Sequence, residues 1–89
     1  MLDEYNQRYI NNFKTIQLTA LETYILATLI QNKKRITTRK ELRALFDLED
    51  KEADNSLRVH IWKLKEKLKG EIMIMAVYSV GYKIEYIGG

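Results

Sequence analysis

Apolar positions along this chain recur with two periods, and the change of period marks its elements. Leu21, Ile25, Leu26, Leu29 and Ile30 fall at helical spacing. Thr19-Ala20-Leu21-Glu22 precedes them as a capping box, in which the threonine hydroxyl and the glutamate carboxylate satisfy free amides at the helix start. This first helix is expected to end near Asn32. Thr38-Arg39-Lys40-Glu41 is a second capping box and opens a helix that buries Leu42, Leu45 and Phe46. A polar, acidic connection follows from Leu48 to Asp54. Leu57, Ile61, Leu64 and Leu68 then share one stripe of a third helix, from about Asn55 to Lys69, with Gly70 as its stop. Beyond Gly70 the period falls to two. Ile72, Ile74 and Ala76 alternate with Met73, Met75 and Val77, so one face packs inward. Ile72–Val77 and Val80–Tyr86 are predicted to pair around Tyr78-Ser79. Near the start, Arg8–Ile10 and Thr15–Leu18 flank Asn11-Asn12 as two strands and a turn, and Leu2–Tyr5 adds a short strand.

The 89 residues are read as one domain, with N-terminal strands over 1–18, a three-helix core over 19–69 and a hairpin over 71–87. A chain of this length buries roughly 60–65% of its unfolded surface, enough for one modest core and too little for a well-shielded cleft. There is no cysteine, which excludes disulfides and thiolate metal sites. The longest apolar run, Ile72 to Tyr78, is too short for a membrane span, and Asp3 and Glu4 stand where a signal peptide is basic. The expected location is the cytoplasm, with no membrane partner. Net charge is only +3, but its distribution is uneven. Arg58, Lys63, Lys65, Lys67 and Lys69 face a single acid, Glu66, between 55 and 69. Asp47, Glu49, Asp50, Glu52 and Asp54 surround Lys51 just before them. Adjoining segments of opposite sign suggest two different partners.

A basic helix followed at once by a hairpin is the sequence form of a winged helix. A DNA-reading helix needs one face anchored in a core and an opposite face with long donors for phosphates and a few groups for base edges. Residues 55–69 meet those conditions. Lys63 and Lys65 reach phosphates, Asn55 and Ser56 lie at the N-terminal end that helix-turn-helix proteins direct at bases, and Val59 suits a thymine methyl. An ordinary solvated amphipathic helix would carry the same charges, so this helix alone does not decide the matter.

The ordered set around it adds more. Leu18-Thr19, Glu22, Asn32, Thr38-Arg39-Lys40-Glu41-Leu42, Val59-His60-Ile61-Trp62-Lys63-Leu64-Lys65 and Val77 to Tyr82 resemble the OmpR/PhoB-type winged-helix domain over nearly the whole chain. The resemblance implies an α+β fold: a short N-terminal antiparallel sheet, three helices and a C-terminal hairpin wing. It implies an output domain of a two-component response regulator, or a stand-alone relative, that binds double-stranded DNA sequence-specifically and regulates transcription. Head-to-tail dimers on direct-repeat DNA and a receiver domain outside this chain go with it. Carried over residue by residue, it places DNA contacts at Asn55, Ser56, Val59, Trp62, Lys63 and Lys65, with Arg58 adding charge where the family is often acidic. Thr38, Arg39 and Lys40 match the start of the backbone-crossing helix. The acidic segment, with Glu49, Asp50, Lys51 and Glu52, matches the loop offered to RNA polymerase.

The wing departs from that family. Tyr78 stands in place of the frequent arginine, Ala76 in place of threonine and Ser79 in place of glycine. Tyr78 and Ser79 are kept as DNA-contact candidates at the tip. Lys65 replaces the last arginine of the recognition stretch, which weakens bidentate guanine reading and leaves phosphate binding intact. Trp62 stands where a base is frequent; it either packs against the acidic segment or a neighbouring subunit, or touches DNA. His60, the only histidine, is read as packed or surface, not as a metal ligand. No phosphate loop and no nucleophile motif is present, so no catalytic role, cofactor or metal is assigned. A winged helix used for protein interaction, with weak or no DNA binding, is the alternative.

Overall fold

Both capping boxes form, and each fixes the start of a helix. Thr19 accepts from the Glu22 amide while Glu22 accepts from the Thr19 amide at 2.8 Å, and Thr38 and Glu41 repeat the exchange. The structure, a computed structural model, describes residues 1–11 and 13–87. In order it comprises β1 (Leu2–Asp3), β2 (Arg8–Ile10), β3 (Thr15–Gln17), α1 (Ala20–Gln31), β4 (Thr37–Thr38), α2 (Arg39–Arg43), α3 (Asp50–Lys67), β5 (Ile72–Val77) and β6 (Gly81–Tyr86). The strands make two antiparallel sheets, ordered β1-β2-β3 and β4-β6-β5. With three helices among the described residues, this is an α+β winged helix, as the sequence predicts.

One core joins the elements. Ile25, Leu26 and Leu29 of α1, Leu42 of α2, and Leu57, Ile61 and Leu64 of α3 with Leu68 just beyond meet Ile72, Ile74 and Ile84 of the hairpin, and Tyr9 and Leu18 close it on the N-terminal side. The third-helix stripe therefore packs as its spacing requires. Burying side chains of this size removes about 1.5–3 kcal/mol of unfavourable hydration each. Asn32 caps α1, where its end was expected.

The structure corrects several boundaries. α3 begins at Asp50, not Asn55, so the segment expected as a connection up to Asp54 is largely helix. The reason is physical: Asp50 and Glu52 sit in the first turn, where acids oppose the positive end of the helix dipole. Ala53, buried one turn before Leu57, extends the core stripe backwards. Arg43 then holds Asp54 at 3.2 Å. α2 is only five residues long, and Leu45 and Phe46 reach the core from tighter turns, with their amides bonded to Leu42 and Arg43. β1 is shorter than expected, since Glu4–Gln7 turns and Gln7 takes φ 53°. The Asn11-Asn12 turn lies partly outside the described residues; Asn11 itself accepts from the Phe13 and Lys14 amides at 2.9 and 2.8 Å.

The hairpin pairs Ile72 with Tyr86, Ile74 with Ile84 and Val77 with Gly81, so its second strand starts one residue later than Val80. Ala76 is exposed despite sharing a face with Ile72 and Ile74, because the outer half of the hairpin projects past the core. Strand β4 is absent from the sequence reading. It lays Thr37 beside Tyr82 and Thr38 beside Gly81. Gly81 makes that approach feasible: a Cβ there would lie 1.9 Å from the Thr37 carbonyl oxygen.

Candidate nucleic-acid interface

Helix α3 is the longest element and carries most of the candidate contacts. Its 18 residues extend about 27 Å at 1.5 Å per residue. With Leu57, Ile61, Leu64 and Leu68 turned into the core, Asn55, Val59, Trp62 and Glu66 face outward, and all four are exposed. Trp62 is 62% exposed and stands outside the apolar core. Arg58, Lys63 and Lys65 are exposed along the two sides of that outer strip, and Ser56 is half-buried. Because α3 begins earlier than expected, Asn55 and Ser56 sit in its second turn and not at its N-terminal tip.

The ion pairs separate committed cations from free ones. Arg8 pairs with Asp3, Lys14 with Glu71, Arg35 with Glu41, Arg43 with Asp54 and Lys67 with Glu22. Arg58, Lys63, Lys65 and Lys69 have no such partner among the described residues. Lys69 belongs to the basic set of residues 55–69 and carries no contact role in the sequence pattern. It lines, with Lys65, a shallow cavity of about 220 Å³ between the end of α3 and strand β5.

The wing and the start of α2 meet. The Arg39 amide donates to the Val80 carbonyl at 3.1 Å, so the first residue of α2 hangs from the hairpin tip. Thr38, the N-cap, is occupied by Glu41; Arg39 is half-buried and Lys40 exposed. At the tip Tyr78 is 94% exposed. Ser79 takes φ 61°, the left-handed region that glycine occupies without strain, and a serine there costs about 1 kcal/mol. The acidic candidates are placed differently from the expected loop. Glu49 is the N-cap of α3 without a side-chain cap bond, and Asp50, Lys51 and Glu52 form the exposed first turn.

Two carboxylates brace this frame. Glu22 is 1% exposed, and Lys67 donates to it at 2.6 Å from the far end of α3. Burial alone would raise its pKa; the Lys67 and Thr19 hydrogen bonds outweigh burial and hold it below the usual carboxylate value. Glu41, bonded by the Arg35 guanidinium and the Thr38 amide and hydroxyl, is held at about 2. His60 lies at 2.7 Å from the Ser56 carbonyl through Nδ1, which must donate there, and its ring meets Phe46 edge-on at 5.5 Å. These are packing contacts.

Comparison with known proteins agrees with this architecture. Residues 13–84 match the family model described as "Transcriptional regulatory protein, C terminal". A Staphylococcus epidermidis protein named as an epidermin response regulator is 33% identical over 93% of this chain, and the sensory transduction protein BceR of Bacillus subtilis is 39% identical over 70% of it. The chain spans 42% and 28% of their lengths. Among solved structures it resembles the DNA-binding domain of the response regulator AdeR, crystallised in complex with an intercistronic region. The TM-score is 0.71 at 26% identity, covering 96% of this chain and 92% of that one. The chain belongs to the family of transcriptional regulatory protein C-terminal domains, the OmpR/PhoB-type winged helices that its motifs resemble.

Proposed function

We propose that this domain binds double-stranded DNA and regulates transcription as the output part of a response regulator, with a receiver domain elsewhere in the protein. One observation carries the reading. Arg58, Lys63, Lys65 and Lys69 stand exposed on and beyond α3 with no ion-pair partner among the described residues, flanking an outward strip that carries Asn55, Val59 and Trp62. In this reading α3 enters the major groove. Lys63, Lys65, Arg39 and Lys40 take phosphates, Asn55, Ser56, Val59 and Trp62 face base edges, and Tyr78 and Ser79 lie along the backbone at the wing. The described residues work as one unit. Two copies bind head to tail on direct repeats, and the exposed acids Glu49, Asp50 and Glu52 with Lys51 form the surface offered to RNA polymerase. No described helix is long and apolar enough to cross a membrane; the proposed location, which follows from the DNA reading, is the cytoplasm.

The test is a titration of Trp62 fluorescence with duplex DNA at rising salt. The expected result is quenching or enhancement at low salt, with log K falling about 0.9 per phosphate contact for each decade of salt. Lys63→Ala should lose affinity and one contact's share of the slope while its circular dichroism and melting stay unchanged, since Lys63 is exposed. Absence of binding to any duplex at low salt would leave the protein-interaction alternative in its place.

A further inference from the structure

The exposed centre of α3 has a chemical bias. Set opposite the buried stripe at 100° per residue, that centre runs Glu52, Asn55, Val59 and Glu66, with Trp62 on one shoulder and Lys63 on the other. No arginine stands in it; Arg58 lies further round, toward the core edge. Val59 is 49% exposed and Trp62 62%, and neither belongs to the apolar core, so folding does not explain them.

In a major groove the repertoire is limited. Guanine presents two acceptors and is taken by a long forked cation, adenine is taken by an amide, and the thymine methyl by an apolar group. This strip supplies one amide, Asn55, and two apolar groups, Val59 and Trp62. Lys63 is a compact charge suited to phosphate. Glu52 and Glu66 at the ends of the strip are acceptors that suit the amino groups of cytosine and adenine alike, so the bias rests on the middle of the strip.

We infer that α3 reads A·T base pairs through thymine 5-methyl groups, with Val59 and Trp62 as the specificity-determining residues and Asn55 pairing with adenine. The inference rests on the proposed DNA binding and narrows it to a class of base. A site read this way is sensitive to loss of a methyl group that carries no charge and no hydrogen bond.

The experiment selects bound sequences from a random duplex pool, then remakes the selected duplex with deoxyuridine for thymidine at single positions. That replacement deletes only the methyl. Affinity is read from the anisotropy of a labelled duplex at fixed salt. The expected result is A·T enrichment in each half-site and an affinity loss of about fourfold for each contacted methyl, hence about fifteenfold for two. In Val59→Ala, checked for folding by circular dichroism, the loss at one thymine should disappear; in Trp62→Ala, the loss at another. Binding that ignores uracil overturns the inference and leaves DNA binding standing. So does a requirement for guanine that vanishes in Arg58→Ala or Lys63→Ala. Failure to bind any duplex at low salt overturns both readings.

Discussion

Replacing Lys67 by methionine isolates the contribution of the brace between α1 and α3. Methionine keeps the apolar stem and the helix preference of lysine, and removes only the ammonium. Glu22, 1% exposed, then keeps its Thr19 bonds but loses its cationic partner. Removing one member of a fully buried pair costs about 3–5 kcal/mol. Lys67 is 36% exposed, so water replaces part of the lost contact and the expected cost is about 2 kcal/mol. For a domain of this size that is a drop in Tm of about 10 °C. The assay is thermal unfolding followed by far-UV circular dichroism between pH 7 and pH 4.

The pH dependence carries the diagnosis. In the native protein the folded pKa of Glu22 lies below its ordinary 4.5. Its stabilisation is therefore present above that value and lost as pH falls through the folded pKa. In Lys67→Met, burial dominates and pushes the folded pKa up, so the penalty is present at neutral pH and fades as Glu22 protonates. The gap between the two proteins should narrow on acidification. Adding Glu22→Gln to Lys67→Met should recover part of the loss at pH 7, since the amide carries no charge to strand. A gap under about 0.5 kcal/mol, the scale of an ordinary surface substitution, would refute the argument, as would a gap constant with pH.

Two further outcomes concern strand β4. Gly81→Ala drives a Cβ against the Thr37 carbonyl, with only backbone to yield, and should cost about 3 kcal/mol and lower DNA affinity by displacing the wing; an alanine variant as stable as the parent would contradict the close approach. Thr37→Val should be neutral or stabilise by up to about 1 kcal/mol, since the buried Thr37 hydroxyl has no partner among the described residues; a loss above 1 kcal/mol by urea denaturation would reveal a bond to water.

The helices and the hairpin were legible because each carried its signal within a few residues: two capping boxes, a stripe at i, i+4 and i+7, and an alternation after Gly70. What escaped the sequence depended on distant partners. The start of α3 was hidden by acids that read as a loop. Ala53, four residues before Leu57, was the available signal, and its small size made it easy to pass over. Strand β4 consists of two threonines whose pairing partner, β6, lies more than forty residues away, so no local pattern could announce it. Glu22 was recognised as a capping partner, but its bond to Lys67 spans 45 residues and appears only once α1 and α3 pack. In the candidate interface, the outward placement of Val59, Trp62 and Lys63 followed from the stripe, whereas which cations remain free required the ion pairs.

Thr38 stands at a junction with mechanical meaning. It pairs with Gly81 in the sheet and starts α2 through its side chain, while the next amide, that of Arg39, hangs from Val80. The wing tip and the first turn of α2 are thus joined by backbone bonds with no linker between them. In the proposed complex, the span that these two joined elements offer to a duplex would be fixed, like the jaws of a set calliper. Such a gauge would register groove width without touching a base, so stiff and flexible sequences of equal chemical content would meet it at different elastic cost.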